Sequence, residues 1–333
     1  MSQATTNPTA VKPSIREDTA GVSLARSLIE TTKPGITRLV TITALVGFGM
    51  GFLSRRHGVA AGSLGADLAH AVGPALAVTA GTAFSAGGAN ALNQLVERHR
   101  DAKMSRTLVR PLPEGRCTPR QVLVTGVALC VVGVALLWAL VGLTPALVSL
   151  ACVASYLMVY TPLKPLTPWA TLTGTIPGAL PPLIGWSAAQ AGLGMASLGQ
   201  LGGWSLVLLM VAWQMPHSLA LAWMYKDDYR LGGYRLLPVV DPDGKRTSLH
   251  IAGWTIALVP ATILPYVAMR GVVGPVYPVV AALSTLFFAW MAMRLVRQRD
   301  RASARRVFLA SILHLPLILT VLVGEALVRA MIG

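Results

Sequence analysis

Apolar residues fall in long runs along this chain, and short polar connectors separate the runs. A spanning helix needs about 20 mostly apolar residues. By that measure the runs near 36–53, 74–95, 121–142, 145–160, 169–189, 203–224, 248–268, 274–294 and 307–328 qualify. The pattern predicts an all-α, polytopic membrane protein with about nine transmembrane helices. The fifth run contains Pro177, Pro181 and Pro182, and prolines inside a span leave carbonyls that neighbouring helices or water must satisfy. That run is therefore expected to line a central cavity. Residues 1–22 are polar and read as a disordered tail, followed over 23–32 by a short interfacial helix with Leu24, Ala25, Leu28 and Ile29 on one side. The chain divides into this 1–32 tail and one nine-helix domain, 33–333.

Composition supports the pattern. Of 333 residues 54% are hydrophobic and 12% charged, with a mean hydropathy of +0.61; soluble domains carry roughly twice that share of charge. The net charge of +15 could suit nucleic acid, but the cations sit in the connectors, as the positive-inside rule requires of a membrane protein. All but Arg55, Arg56, Arg270 and Arg329 of the 28 basic residues fall on one side of the nine-span arrangement. This places the N-terminus in the cytoplasm and the C-terminus outside, and removes nucleic acid as a partner. The tail has no apolar stretch of the secretory kind, and its Glu17, Asp18 and Glu30 do not suit a mitochondrial address. Cys117, Cys130 and Cys152 lack metal or disulfide spacing.

Two connectors, 96–120 and 225–247, are too polar to be mere links. Asn93, Glu97 and Asp101 stand four apart, which on a helix keeps them within an arc of about 80°. Asp227 and Asp228 close the sixth run. Acids at helix C-termini oppose the helix dipole, so cations must compensate them. Arginines alone would make a salt-bridged helix end; the alternative is Mg²⁺, which takes one or two carboxylates plus substrate phosphates. Arg106, Arg110, Lys164 and Lys226 on the same side add the charge a diphosphate would need. His217, after Pro216 within the sixth run, reads either as a core histidine or as a cavity residue.

Asn93-x3-Glu97-x3-Asp101 followed by Met104-x-Arg106-Thr107-x2-Arg110-Pro111-Leu112 resembles the first acidic motif of the UbiA-type intramembrane prenyltransferases. Tyr160-Thr161-x2-Lys164, the run Ile176-Pro177-Gly178-Ala179-Leu180-Pro181-Pro182-Leu183-Ile184-Gly185-Trp186, and Gln214-Met215-Pro216-His217 are similar to the haem-directed branch, the protohaem IX farnesyltransferases. Asp227-Asp228-Tyr229 and Leu236-Leu237-Pro238-Val239-Val240 fit the same branch. The likeness runs from about Lys33 to Pro316. The chain departs from the family at Glu97, where Asp is usual, and at His99, where another acid is common.

The resemblance implies transfer of a farnesyl group from farnesyl diphosphate to a vinyl group of haem B, with water added, to give haem O. It implies Asn93, Glu97, Asp101, Asp227 and Asp228 as ligands of Mg²⁺, and Arg106, Arg110 and Lys164 as stabilisers of the diphosphate. Tyr160, Lys226, Trp213 and His217 would contact substrate, the last of these haem. The expected setting is the inner membrane of a bacterium, with the site facing the cytoplasm, the bilayer around it and a haem A synthase among the partners it allows. A UbiA-type enzyme acting on an aromatic quinone precursor, or a haem or anionic-lipid carrier, remain as alternatives.

Overall fold

The computed structural model describes residues 22–57 and 64–332; the tail expected over 1–22 lies, up to residue 21, outside them. Helix α1 (Leu24–Thr31) precedes α2 (Pro34–Arg56), α3 (Leu64–Asp101) and α4 (Pro119–Leu140). Next, α5 (Leu143–Ala154) runs on through a π-helical stretch, Ser155–Tyr160, into the single turn of α6 (Thr161–Leu163). Three short helices follow, α7 (Ala170–Thr173), α8 (Thr175–Ala179) and α9 (Pro181–Ala189), then α10 (Leu201–Met224). Two short ones, α11 (Lys226–Leu231) and α12 (Leu237–Val240), lead to α13 (Lys245–Ala268), α14 (Val276–Gln298) and α15 (Arg301–Ile332).

Among the described residues eight helical segments are long and apolar enough to cross a membrane. The remaining expected span, the fifth, is the α7–α8–α9 series, which the prolines and Gly174 divide into three pieces. The protein is thus an integral membrane protein of the expected class. Its outer surface agrees: Val131, Trp138, Leu283 and Leu313 are each more than 60% exposed, a surface stable in lipid but not in water.

Local sequence accounts for the helix starts. Pro34 occupies the first turn of α2, where its missing N–H costs nothing. Thr118 and Gln121 form a reciprocal capping box ahead of α4, with Pro119 at the first turn. The second span, α3, begins earlier than the apolar run predicts, at Leu64 rather than near residue 74, because Pro74 sits inside it without ending it. At 38 residues α3 is about 57 Å long, so it outruns a hydrocarbon core of about 30 Å and carries its last turns beyond the membrane.

Glycines let the helices meet closely, as is common where dispersion rather than hydrophobicity drives packing in lipid. A Cβ on Gly47 would run into the Pro182 carbonyl, and one on Gly185 into the Ala44 carbonyl, so α2 and α9 touch through backbone. Gly81 and Gly88 on α3 face Gly133 and Gly126 on α4 in the same way. Helix α10 is the most buried span and packs against α8, α9, α13 and α15. Helix α1 turns Ser27 and Thr31 inward and leaves Leu24 and Ile29 exposed. Its apolar side is free to lie in the membrane interface.

Candidate active site

One face of α3 builds the wall of a cavity from its mouth to its floor. Asp101, Glu97, Asn90, Ala89, Ala86, Ser85 and Thr82 recur at three- and four-residue steps and all line a cavity of about 330 Å³. From Asp101 to Thr82 this face spans about 28 Å. The opposite walls come from α2, from α5 with its π-helical stretch, from the broken α7–α9 span through Gly174, Pro177, Gly178 and Ile184, and from Gln214 and Leu221 of α10. The proline-rich span therefore does line the cavity.

At the mouth, acids and cations interleave. The Lys164 ammonium donates to Glu97 Oε1 at 2.8 Å, with side-chain exposures of 14% and 7%. Arg110 Nη1 donates to Asp101 Oδ2 at 2.7 Å. The other carboxylate oxygen of Asp101, Oδ1, is buried with no hydrogen-bond partner. Lys33 enters from the turn between α1 and α2 in a left-handed conformation (φ 50°) and donates to Asn93 Oδ1 at 2.7 Å. Burial first, and the Arg110 guanidinium second, hold the Lys33 ammonium down to about 7. Glu97, with nearby tyrosines in support, holds the Lys164 ammonium well above the usual lysine range despite burial.

Two loops close the mouth. Asp228 Oδ1 accepts from Ser105 Oγ at 2.7 Å and from its N–H at 3.3 Å, and Arg100 Nη1 donates to the carbonyls of Gly232 and Gly233. These bonds tie the loop after α3 to the loop after α10. Arg106, exposed at the rim, lies over the rings of Tyr225 and Tyr229 at 4.8 and 5.7 Å and donates to the Tyr229 hydroxyl. The wide turn of the π-helical stretch brings Tyr156 and Tyr160 together, with ring centroids 5.8 Å apart, on the cavity wall. Tyr160 also carries Lys164 over its ring at 4.5 Å. Local π-helical turns of this kind concentrate at functional sites.

Of the residues singled out from sequence, the structure brings Glu97, Asp101, Arg106, Arg110, Tyr160 and Lys164 to the cavity. Asn93 stands behind the rim, fully buried. Its amide oxygen carries Lys33, and its Nδ2 donates to Thr161 Oγ1 at 3.0 Å. Asp227 turns away: it is 77% exposed and paired with Arg230 at 2.8 Å. The chain breaks at Tyr225 and α11 starts a new direction, so only Asp228 of the pair meets the facing loop. Lys226 is half-buried and does not line the cavity.

Trp213 and His217 are also outside the cavity. Gln214 and Leu221 define the cavity side of α10, and on a helix 213 and 217 are rotated about 100° and 60° from 214. His217 instead stacks between Trp213 and Phe308 at 4.7 and 4.9 Å, with Nδ1 2.7 Å from Ser311 Oγ on α15. Neither side chain lines this cavity. The one signal for Lys33 in the sequence is its place beside a proline, at the entrance to the first span.

Among the described residues no three His, Cys, Asp or Glu side chains converge as a complete metal cage. Mg²⁺ does not require one, since it binds through one or two carboxylates with phosphates and water completing the shell. The orphaned Asp101 Oδ1 and the neighbouring Glu97 carboxylate supply hard oxygens where such an ion would meet a phosphate. The residues present fit the ion.

The profile of the UbiA prenyltransferase family matches residues 58–315. A protein of Solibacter usitatus (strain Ellin6076), described as protoheme IX farnesyltransferase, is 41% identical over 293 residues, covering 88% of this chain and 96% of its own. A protein of Salinibacter ruber with the same description is 40% identical, covering 85% and 93%. Among solved structures, one from work on digeranylgeranylglyceryl phosphate synthase in membranes aligns at a TM-score of 0.70 and 14% identity, over 92% of this chain and 99% of that one. A UbiA homolog from Archaeoglobus fulgidus bound to DMAPP and Mg²⁺ aligns at 0.54 and 13% identity, over 90% and 99%.

Proposed function

The chain belongs to the UbiA prenyltransferase family, and from that premise we propose that it transfers the farnesyl group of farnesyl diphosphate to a vinyl group of haem B. Water adds in the same reaction, and the products are haem O and diphosphate. The acceptor is supported by the relatives described as protoheme IX farnesyltransferases, which match at about 40% identity over most of both chains. The observation that carries the reaction class is the cavity mouth, where Lys33, Arg106, Arg110 and Lys164 surround the Glu97 and Asp101 carboxylates above a shaft along α3.

These residues divide the work. Preorganised cations in a site of low dielectric stabilise the charge that develops on a departing diphosphate, and Arg106 and Arg110 present their guanidinium groups to it. Lys164 is fixed by Glu97 and Tyr160, and Lys33 by Asn93, so neither needs to reorganise when charge appears. Asp101, Glu97 and Asp228 would hold Mg²⁺, which when bound neutralises phosphate oxygens and assists their departure. Tyr156 and Tyr160 offer aromatic faces beside the point where an allylic cation would form. The membrane-depth shaft beneath the mouth takes the prenyl chain out of water.

The cation-rich mouth, by the positive-inside rule, opens to the cytoplasm of a bacterial inner membrane. The product would suit a haem A synthase as the next enzyme. The test is incubation of the purified protein with haem B, farnesyl diphosphate and Mg²⁺, with extracted haems read by mass spectrometry. A haem heavier by one farnesyl and one hydroxyl group, lost when Mg²⁺ is chelated, is the expected result. Diphosphate release without a new haem would overturn the acceptor.

A further inference from the structure

The cavity has a floor, and two spans mark its depth. Glu97 of α3 meets Lys164 at the mouth, and Ser85 of α3 meets Ser149 of α5 far below, so the two spans run in the same direction. Each lines the cavity down to one last residue, Thr82 on α3 and Ser149 on α5. Ser149 Oγ donates to Ser85 Oγ at 2.9 Å, and both side chains are buried. One turn deeper, the Thr82 hydroxyl is buried without a hydrogen-bond partner. Beneath these, Val78 and Ala146 are shut into the apolar core, and the shaft ends.

The depth of this floor is a measure of chain length. From Glu97 to Ser85, α3 rises about 18 Å. The two bonds from phosphorus to C1 of a diphosphate held level with Glu97 use roughly 3 Å of it. An extended isoprene unit adds four bonds of its backbone, about 5 Å, close to the helix pitch of about 5.4 Å. Each unit therefore descends about one turn of α3. A farnesyl chain ends at the Ser85–Ser149 bridge, a geranyl chain ends a turn short, and a geranylgeranyl chain would have to pass Thr82.

The chemistry of the floor makes it a stop. A longer chain would part the hydrogen bond between the two serines and press methyl groups against the unpaired Thr82 hydroxyl. Apolar groups offer nothing in place of a lost polar partner. We propose that the Ser85–Ser149 bridge, with Thr82 behind it, sets the prenyl chain at the farnesyl length. The inference rests on the reading above that the cavity mouth binds a prenyl diphosphate. Ser149 touches the last isoprene unit, far from the reacting carbon, and acts on specificity rather than on bond breaking.

The experiment measures, by calorimetry with Mg²⁺, the binding of thio-diphosphate analogues of the geranyl, farnesyl and geranylgeranyl chains. These analogues do not react, so the readout needs no acceptor. Wild type should bind the farnesyl analogue at least about tenfold more tightly than either other chain. Ser149→Phe fills the floor and should move the optimum to the geranyl analogue, changing the geranyl-to-farnesyl ratio by at least about tenfold. A general loss of structure lowers all three affinities together, so an unchanged order in Ser149→Phe overturns the proposal. If that variant does not fold, Ser149→Leu is read in the same way and with the same consequence. Equal affinity of the wild type for the three chains overturns it too. Farnesyl-selective binding without any modified haem in the turnover assay would support the floor and overturn the haem-directed reading instead. No binding of any analogue would overturn the diphosphate reading and this proposal with it.

Discussion

Lys164 and Glu97 face each other across the cavity mouth from different spans, 2.8 Å apart and mostly buried. Each keeps the other charged in a place where neither would stay charged alone. Removing one partner of a buried pair leaves an uncompensated charge, which costs about 3–5 kcal/mol. Lys164→Met should therefore lower the melting temperature sharply. Glu97→Gln added to it should restore most of the loss while turnover stays absent. Melting curves of the single and double variants check this, and failure of the second substitution to rescue would show that the pair is not the source of the stability.

Asp101 makes a different prediction, because its two oxygens have different partners. Oδ2 is held by Arg110 and Oδ1 by nothing. Asp101→Asn retains an acceptor for Arg110 but removes the charge a divalent cation needs. Turnover should fall by at least about 10²-fold, with little change in melting temperature and a rightward shift of the Mg²⁺ titration. Retained turnover at ordinary Mg²⁺ would remove Asp101 from the metal site.

Much of this site was legible in sequence because helical periodicity carries it. Glu97 and Asp101 stand on one face of α3 whatever surrounds them, and the pairs Arg106 and Arg110, and Tyr160 and Lys164, each four residues apart, lie on the same side of the membrane. Legibility ended where rotation about a helix axis decides the matter. His217 and Gln214 are three residues apart in one motif, and only the packing of α10 against α15 turns the histidine outward and the glutamine inward. Asp227 and Asp228 differ for a similar reason, since the break at Tyr225 resets the phase of the helix. The place of Lys33 is not legible, because its partner Asn93 lies 60 residues away, a pairing no local pattern encodes.

Lys33 should make diphosphate binding depend on pH. In the folded protein its ammonium is held down to about 7, against about 10.4 for an exposed lysine. Between these values the folded chain binds fewer protons than the unfolded one, so this group's contribution to stability rises with pH and is lost as pH falls toward 7. A bound diphosphate reverses the local field and returns the proton. Affinity for a non-reacting farnesyl diphosphate analogue should weaken by up to about tenfold per pH unit from about pH 7 to 9. Calorimetry in buffers of different ionisation enthalpy should show proton uptake. Lys33→Arg should bind with the slope removed; an unchanged slope in that variant would assign the proton elsewhere.

At the opposite end of the bundle, Glu325 of α15 performs a task that needs no chemistry. Its two oxygens accept from the backbone N–H groups of Val276 and Tyr277, at 2.9 and 2.7 Å, and so cap the first turn of α14 from a neighbouring helix. A carboxylate at a helix N-terminus meets both unpaired donors and the positive end of the dipole. Arg329, one turn further along α15, donates to the Gly271 carbonyl and holds the same loop. Glu325→Leu should cost about 1–2 kcal/mol of stability, and Glu325→Gln, which keeps one acceptor without the charge, about half of that. Neither should change turnover or Mg²⁺ dependence, because the cavity mouth lies at the other end of every span. Paired melting and activity assays decide it. A loss of turnover larger than the loss of folded protein would mean that the two ends of the bundle are coupled.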